Sequence, residues 1–280
     1  MGRFVLVVAF TVLLAGCGGA VSSDESPAVT PAPVPTDGQG YPPGVTSDGV
    51  IASELASAHV RSLEARSYTL TTVQEVRARN GALLQLTNET RTVAADAEVY
   101  QGRRYQESNT FRSGQERATV SFWSNGTHVT TRYWNQERDG KQRVRQEVSE
   151  RRVPVTDLTD RRHLQGFLAG VNVAPTRRTD DGGVLLAGRG FSDQGYLVVP
   201  LVLGNPSDIR LQMRVRHDGV IVAARIQYSA LQNGRPVSVE RVTRVTDIGT
   251  TSVERPAWVN GTAELEDSLG QDGPTHAGDG

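Results

Sequence analysis

The stretch Ile209–Tyr228, IRLQMRVRHDGVIVAARIQY, sets the fold. Ile209, Leu211, Met213 and Val215 alternate with Arg210, Gln212, Arg214 and Arg216. This is the period of a strand with one dry face and one wet face. Asp218-Gly219 supplies the positive φ of a tight hairpin turn. Beyond it Val220, Val222, Ala224, Ile226 and Tyr228 alternate with Arg225 and Gln227, and Asn233-Gly234 turns the chain again into Val237 and Val239.

Working outward, the same turn chemistry recurs at Asn80-Gly81, Asn125-Gly126, Asp139-Gly140 and Asp181-Gly182. Between these dipeptides lie strand candidates near 67–79, 82–94, 97–108, 116–124, 127–136 and 142–152, which read as a long antiparallel meander. Ahead of it, Ser47-Asp48 offers an N-cap, and Val50, Ile51, Leu55, Ala58 and Leu63 recur at helical spacing, so a helix is expected over 48–65. Thr156 or Asp157 caps a second, short helix over 157–169 with Leu158, Leu164, Phe167 and Leu168, ended near Gly170. Leu197–Leu203, broken by Pro200, reads as a short helix or a loop folded over the sheet. The expected class is mainly β (α+β): one curved antiparallel sheet, a half-barrel, with an N-terminal helix and a second short helix on its concave side.

The N-terminal end gives an address. Arg3 precedes an apolar run from Phe4 to Leu14, followed by Leu14-Ala15-Gly16-Cys17, which reads as a lipobox. The run is far shorter than the ~20 apolar residues that span a bilayer. Cleavage before Cys17 would leave that thiol at the new N-terminus for lipidation, with two acyl chains or a diether lipid, because a single chain holds a membrane only marginally. The division expected is 1–16 signal peptide, 17–46 lipid-anchored disordered linker rich in Pro, Ser, Thr and Gly, 47–259 folded β domain and 260–280 disordered tail. The expected location is the outer face of the cytoplasmic membrane, held through the lipid anchor.

Composition narrows the chemistry. Thirty basic and 31 acidic residues give a net charge of −1, so no long-range field draws the chain to nucleic acid. Arg132-Tyr133-Trp134 is the best local basic–aromatic candidate, but it stands alone in a balanced chain, and no nucleic-acid partner is expected. One cysteine rules out an intrachain disulfide and thiolate metal clusters. The five histidines, His59 among them, are singletons without ligand spacing, so no metal and no cofactor is expected. Ser192 misses a Gly-x-Ser-x-Gly nucleophile turn by one residue, and the chain is read as no enzyme. Three sequons begin at Asn88, Asn125 and Asn260, with Asn125 and Asn260 the better glycosylation candidates.

The Gly-Cys lipobox, the Pro/Thr/Asp spacer, LASAHVRSLEARSYTLT (55–71), WSNGT (123–127) and TTSVERPAW (250–258) together resemble a haloarchaeal surface lipoprotein family of unknown function. The resemblance covers about 46 to 259 and implies a LolA/LppX-like half-barrel, a shape whose bacterial members carry lipids or lipoproteins. The near-neutral charge differs from the acidity usual in halophiles and leaves archaeal and actinobacterial lipid chemistry both open.

The functional expectation is a non-catalytic, lipid-anchored surface module that binds or carries a hydrophobic ligand, a lipid or a lipoprotein. Tyr68, Leu70, Ile209, Leu211, Met213, Val222, Ile226 and Tyr228 would line the concave side, either as an open groove or as a core filled by the helices. The alternative is a structural or interaction component of the cell envelope that contacts another envelope protein without a small-molecule ligand.

Overall fold

A computed structural model describes residues 40–110, 114–136, 142–150, 157–200 and 202–260. The expected signal peptide, Cys17, nearly all of the linker and the tail beyond 260 lie outside the described residues. The described part begins with helix α1 (Ala52–Glu64), followed by strands β1 (Tyr68–Ala78), β2 (Leu83–Val93), β3 (Val99–Thr110), β4 (Gly114–Asn125), β5 (His128–Gln136) and β6 (Gln142–Glu150). Helix α2 (Arg161–Gly170) precedes β7 (Val171–Arg178), β8 (Val184–Phe191), β9 (Leu203–Val215), β10 (Ile221–Gln232) and β11 (Arg235–Thr246).

All eleven strands form one antiparallel sheet in the order β6-β5-β4-β3-β2-β1-β11-β10-β9-β8-β7, which does not close on itself. The class read from the sequence, mainly β with two helices on one antiparallel sheet, is therefore what the chain adopts. Its organisation is two meanders rather than one. The first runs outward from β1 to β6, the second inward from β7 to β11, and they join where β1 pairs with β11 from Thr69↔Thr246 to Ala78↔Val237. Strands β7 and β8 extend the second meander around the Asp181-Gly182 turn.

Both helices cover the same sheet face, here called the inner face. Leu55 of α1 and Leu164, Phe167 and Leu168 of α2 share one core cluster with Leu186, Ile209, Leu211, Met213, Ile226 and Val239. Leu63 joins Tyr68, Leu70, Tyr100, Phe122 and Val245 in a second. Each such aliphatic or aromatic side chain contributes about 1.5–3 kcal/mol on burial.

Two helix starts are corrected, and one open alternative is decided. Helix α1 starts at Ala52, with Ile51 as the N-cap and no side-chain cap. Thr46 Oγ1 takes the amide of Gly49 at 3.1 Å and folds 46–49 into its own turn, so Asp48 never reaches the helix. Gly44, at φ +79°, lets that turn sit on the helix, because a Cβ there would lie 2.3 Å from the Leu55 nitrogen. The second helix opens at Asp160, in the left-handed conformation, yet Asp157 still caps it through Oδ2, which accepts the Arg162 amide at 2.8 Å. Leu197–Pro200 is a loop laid on α2: the Tyr196 carbonyl fills the space a Cβ on Gly166 would need.

The segment before α2 is held residue by residue. Arg91 of β2 donates to the Asp157 carbonyl, and the Tyr68 hydroxyl of β1 donates to that of Leu158 at 3.3 Å. His59 Nε2 of α1 lies 3.0 Å from the Thr159 carbonyl, and Nδ1 accepts the Ile221 amide at 3.1 Å. Since an amide only donates, Nδ1 is bare and the proton is on Nε2. His59, without ligand spacing in the sequence, is thus a buried staple between α1, β10 and the α2 approach. Asp160 takes Arg241 and Thr243 of β11.

Candidate binding site

The sequence left the inner apolar residues open between groove and core, and the structure places them under the helices. Tyr68, Leu70, Ile209, Leu211, Met213, Ile226 and Tyr228 are all buried among core side chains. Val222 differs. The register slips between Ile221 and Ala223, so Val222 is a bulge residue and Ile221 takes the inward place opposite Val215. Val222 lies half-buried against the second cluster.

The other face of the sheet carries a basin that strand alternation builds. On β4, RATVSFW, the inward positions are Val120 and Phe122, so Arg117, Thr119, Ser121 and Trp123 point outward. Register then lines up one rung as Arg103–Ser121–Arg132–Gln146 from β3 to β6, and the next as Tyr105–Thr119–Trp134–Val144. Each rung is long, short, long. The result is a trough running along β4, floored by the two hydroxyls. Its walls stand two strand spacings apart, roughly 10 Å. The basin is about 590 Å³ and is lined by Arg103, Tyr105, Arg117, Thr119, Ser121, Arg132, Trp134 and Trp258.

Trp258 arrives from the far end of the chain. After β11 the Gly249 amide donates to the Ser67 carbonyl at 2.7 Å, and the Thr251 hydroxyl lies 3.3 Å from that of Thr69. The Arg255 guanidinium then sits 5.3 Å over the Trp123 ring. Thr69, Thr92, Gln101 and Trp123 form one rung, so residues 251–255 cross three strand spacings on the outer face. This strap closes one end of the trough, which two of the chain's three tryptophans, Trp134 and Trp258, line, while Trp123 lies under the strap itself.

The electrostatics are unbalanced. Among the described residues, Arg103, Arg117 and Arg132 have neither an ion pair nor a hydrogen bond, although Arg117 stands opposite Glu107, which accepts the Tyr105 hydroxyl at 2.8 Å. Buried atoms without a partner gather here too: Arg117 Nε, Trp123 Nε1, and both amide atoms of Gln146. Native proteins leave few such atoms unsatisfied. A second outer-face basin, about 580 Å³ across β8–β11, is different. Its Arg214 is paired with Asp181 and its Arg225 with Glu240, each at 3.0 Å, which leaves Arg244 as its one arginine without an ion pair among the described residues.

The remaining sequence candidates are scattered. Ser192 Oγ donates to the Ala169 carbonyl at 2.6 Å. No group of three or more His, Cys, Asp or Glu side chains among the described residues could hold a metal ion, and no helix among them is long and apolar enough to cross a membrane. Asn125 is exposed at its turn, where Oδ1 accepts the Thr127 and His128 amides at 3.0 and 2.8 Å. Asn88 is exposed in mid-strand, on the rung of Tyr105. Asn260 ends the last helical turn.

No family model matches the chain, and no curated protein sequence matches it. Among solved structures it is similar to a DUF1329 family protein from Desulfovibrio piger, at 11% identity over 75% of this chain and 96% of that one, with a TM-score of 0.28. It is also similar to a chain of the MucA/MucB complex of Pseudomonas aeruginosa, at 11% identity over 70% of this chain and 94% of that one, with a TM-score of 0.14. Both likenesses are remote, and the site is read from its own residues.

Of the basin, the sequence singled out only Arg132-Tyr133-Trp134. Strand period divides that triplet: Arg132 and Trp134 face the trough, while Tyr133 turns to the other side beneath the Arg145 guanidinium, 5.8 Å from its ring centre. Arg103, Tyr105 and Arg117 carried a usable signal in their alternation with inward residues. Trp258 carried none, because only the β1–β11 pairing brings the strap across β1–β4.

Proposed function

We propose that this protein is a non-catalytic binding module, lipid-anchored through Cys17 at the outer face of the cytoplasmic membrane, which takes an anionic ligand in the trough on β3–β5. The observation that carries the reading is that Arg103 and Arg132 stand on one rung with no carboxylate for either. Unneutralised arginines on a sheet face cost self-repulsion and are kept where a bound anion supplies the missing charge. Tyr105 and Trp134 on the adjacent rung add two aromatic faces for a flat ring. The hydrophobic-carrier reading is less well supported, since the inner apolar surface is occupied by side chains of α1 and α2.

The test uses intrinsic tryptophan emission, because two of the chain's three tryptophans, Trp134 and Trp258, line the site. The full chain is titrated with citrate, benzoate and inositol hexakisphosphate as anionic probes. At least one gives a saturable change in emission that the double variant Arg103→Gln/Arg132→Gln loses. If none of the three perturbs emission or binds by calorimetry, the trough is not an anion site.

A further inference from the structure

Resting on that reading of the trough, we infer that its ligand is an acidic oligosaccharide segment, a chain of hydroxylated rings bearing carboxylates, laid along β4.

Three features of the trough point to this class and against simpler anions. The unsatisfied groups are mixed in kind. Arg117 Nε and Trp123 Nε1 require acceptors, whereas Gln146 offers an unpartnered amide oxygen beside an unpartnered amide nitrogen, on the rung of Arg132. A phosphate, sulfate or aromatic carboxylate supplies acceptors only and has no donor for a hydroxyl oxygen on the floor. Hydroxyl groups both donate and accept. The floor matches this: among the described residues Thr119 and Ser121 hydroxyls have no protein partner, and each can also serve in both senses.

The second feature is the order of the rungs. The arginine rung and the aromatic rung are neighbours on one face, about 6.8 Å apart along the strand. A ring held between Tyr105 and Trp134 therefore has a charged substituent, or the next ring's substituent, within reach of Arg103 and Arg132. The ~10 Å between the walls admits one ring with its faces toward the two aromatics. Arg117 lies one rung further, on the other side of the aromatic rung from Arg103 and Arg132, but it stands opposite Glu107, so the unbalanced positive charge is on the Arg103–Arg132 side of the ring platform. A carboxylate on a ring stacked at the platform, or on the ring next to it, meets that charge one rung away.

Third, the trough runs along the strands and is shallow, with Arg103 exposed and the other walls half-buried. A chain lies in such a channel, while a compact small molecule would be left largely in water.

The experiment compares tetragalacturonate, galacturonate monomer and uncharged maltotetraose on the full chain, by tryptophan emission and calorimetry. Tetragalacturonate is expected to bind at least tenfold more tightly than either of the other two. Arg103→Gln, an exposed position that folding tolerates, and Trp134→Ala are each expected to weaken it tenfold or more. Arg214→Gln, on the other outer basin, leaves it unchanged. Equal affinity for the charged and neutral tetramers, or an Arg103→Gln protein that binds as before, overturns the inference. If inositol hexakisphosphate or citrate binds in the trough while tetragalacturonate binds no better than its monomer, the glycan assignment fails and the anion site stands. If nothing in either panel binds, both fall together.

Discussion

Arg241 Nη2 on β11 reaches both carboxylate oxygens of Asp160, at 2.8 and 2.9 Å, and so fixes the start of α2 to the middle of the sheet. Asp160 is 1% exposed. Burial alone would push its carboxyl up. The His163 hydrogen bond, the Arg241 charge and the Arg241 hydrogen bonds outweigh it and hold the group well below the usual carboxylate range. The folded-state pKa is depressed, so the stabilisation is present above the ordinary carboxylate range near ~4 and is lost only as pH falls well below it. Asp160→Ala leaves a buried guanidinium without a counter-charge and is expected to cost roughly 3–5 kcal/mol. Asp160→Leu with Arg241→Met should cost less than the sum of the two single changes, measured by urea unfolding.

His59 also loses its contribution as pH falls, but at a higher pH and because it must stay neutral rather than charged. Burial lowers its pKa, against smaller upward contributions from the Thr159 hydrogen bond and nearby aspartates. The unfolded chain therefore takes up a proton, near pH 6.5, before the folded chain does. Stability should fall as pH drops below that value, while it is flat above. Glutamine at this position keeps a donor and an acceptor but does not titrate. His59→Gln is expected to flatten the dependence of the urea midpoint between about pH 7 and 5; an unchanged slope would assign it to other groups.

Gly102 lies directly opposite Phe122, and a Cβ on it would come within 2.2 Å of the ring tip. That ring is 3% exposed and packs edge-on to Tyr100 at 6.1 Å, so it has little room to retreat. Gly102→Ala should cost about 1–3 kcal/mol, by overpacking. Because Phe122 sits between Ser121 and Trp123 on β4, near-ultraviolet circular dichroism of the tryptophans should change as well.

The unpaired arginines predict a stabilising substitution. Arg132→Gln removes one of the like charges around the trough and should raise stability at low ionic strength by up to ~1 kcal/mol. The gain should fade near ~0.5 M salt, where the screening length shrinks to a few ångströms. Thermal melts at two salt concentrations check it; a loss of stability at both would show Arg132 to be a structural residue.

Lipidation at Cys17 is tested on native material. The intact mass should fit a chain that begins at Cys17 and carries lipid, and Cys17→Ser should release the protein from the membrane fraction. A soluble chain still carrying Met1 to Gly16 would remove the proposed address.

The strands were legible because their signals are local. Alternation in IRLQMRV (209–215) and the Asx-Gly turns set period and hairpin register within a few residues of each β-turn. The 222 bulge was not, since a one-residue slip leaves a Val-Ile-Val run equally apolar on either parity. Nor could the sequence choose between groove and core for Ile209 or Tyr228, as both need the same apolar side chains.

By itself, then, the sequence determined a mainly β chain of hairpins with two amphipathic helices, because periodicity and turn chemistry act between near neighbours. The tertiary structure alone decided that β1 pairs with β11, since many strands of like pattern could have been partners and only the packed sheet selects among them. That pairing carries residues 251–258 across the outer face and brings Trp258 to the trough that Arg103 and Trp134 line, so one end of the candidate site is closed only where the two ends of the domain meet.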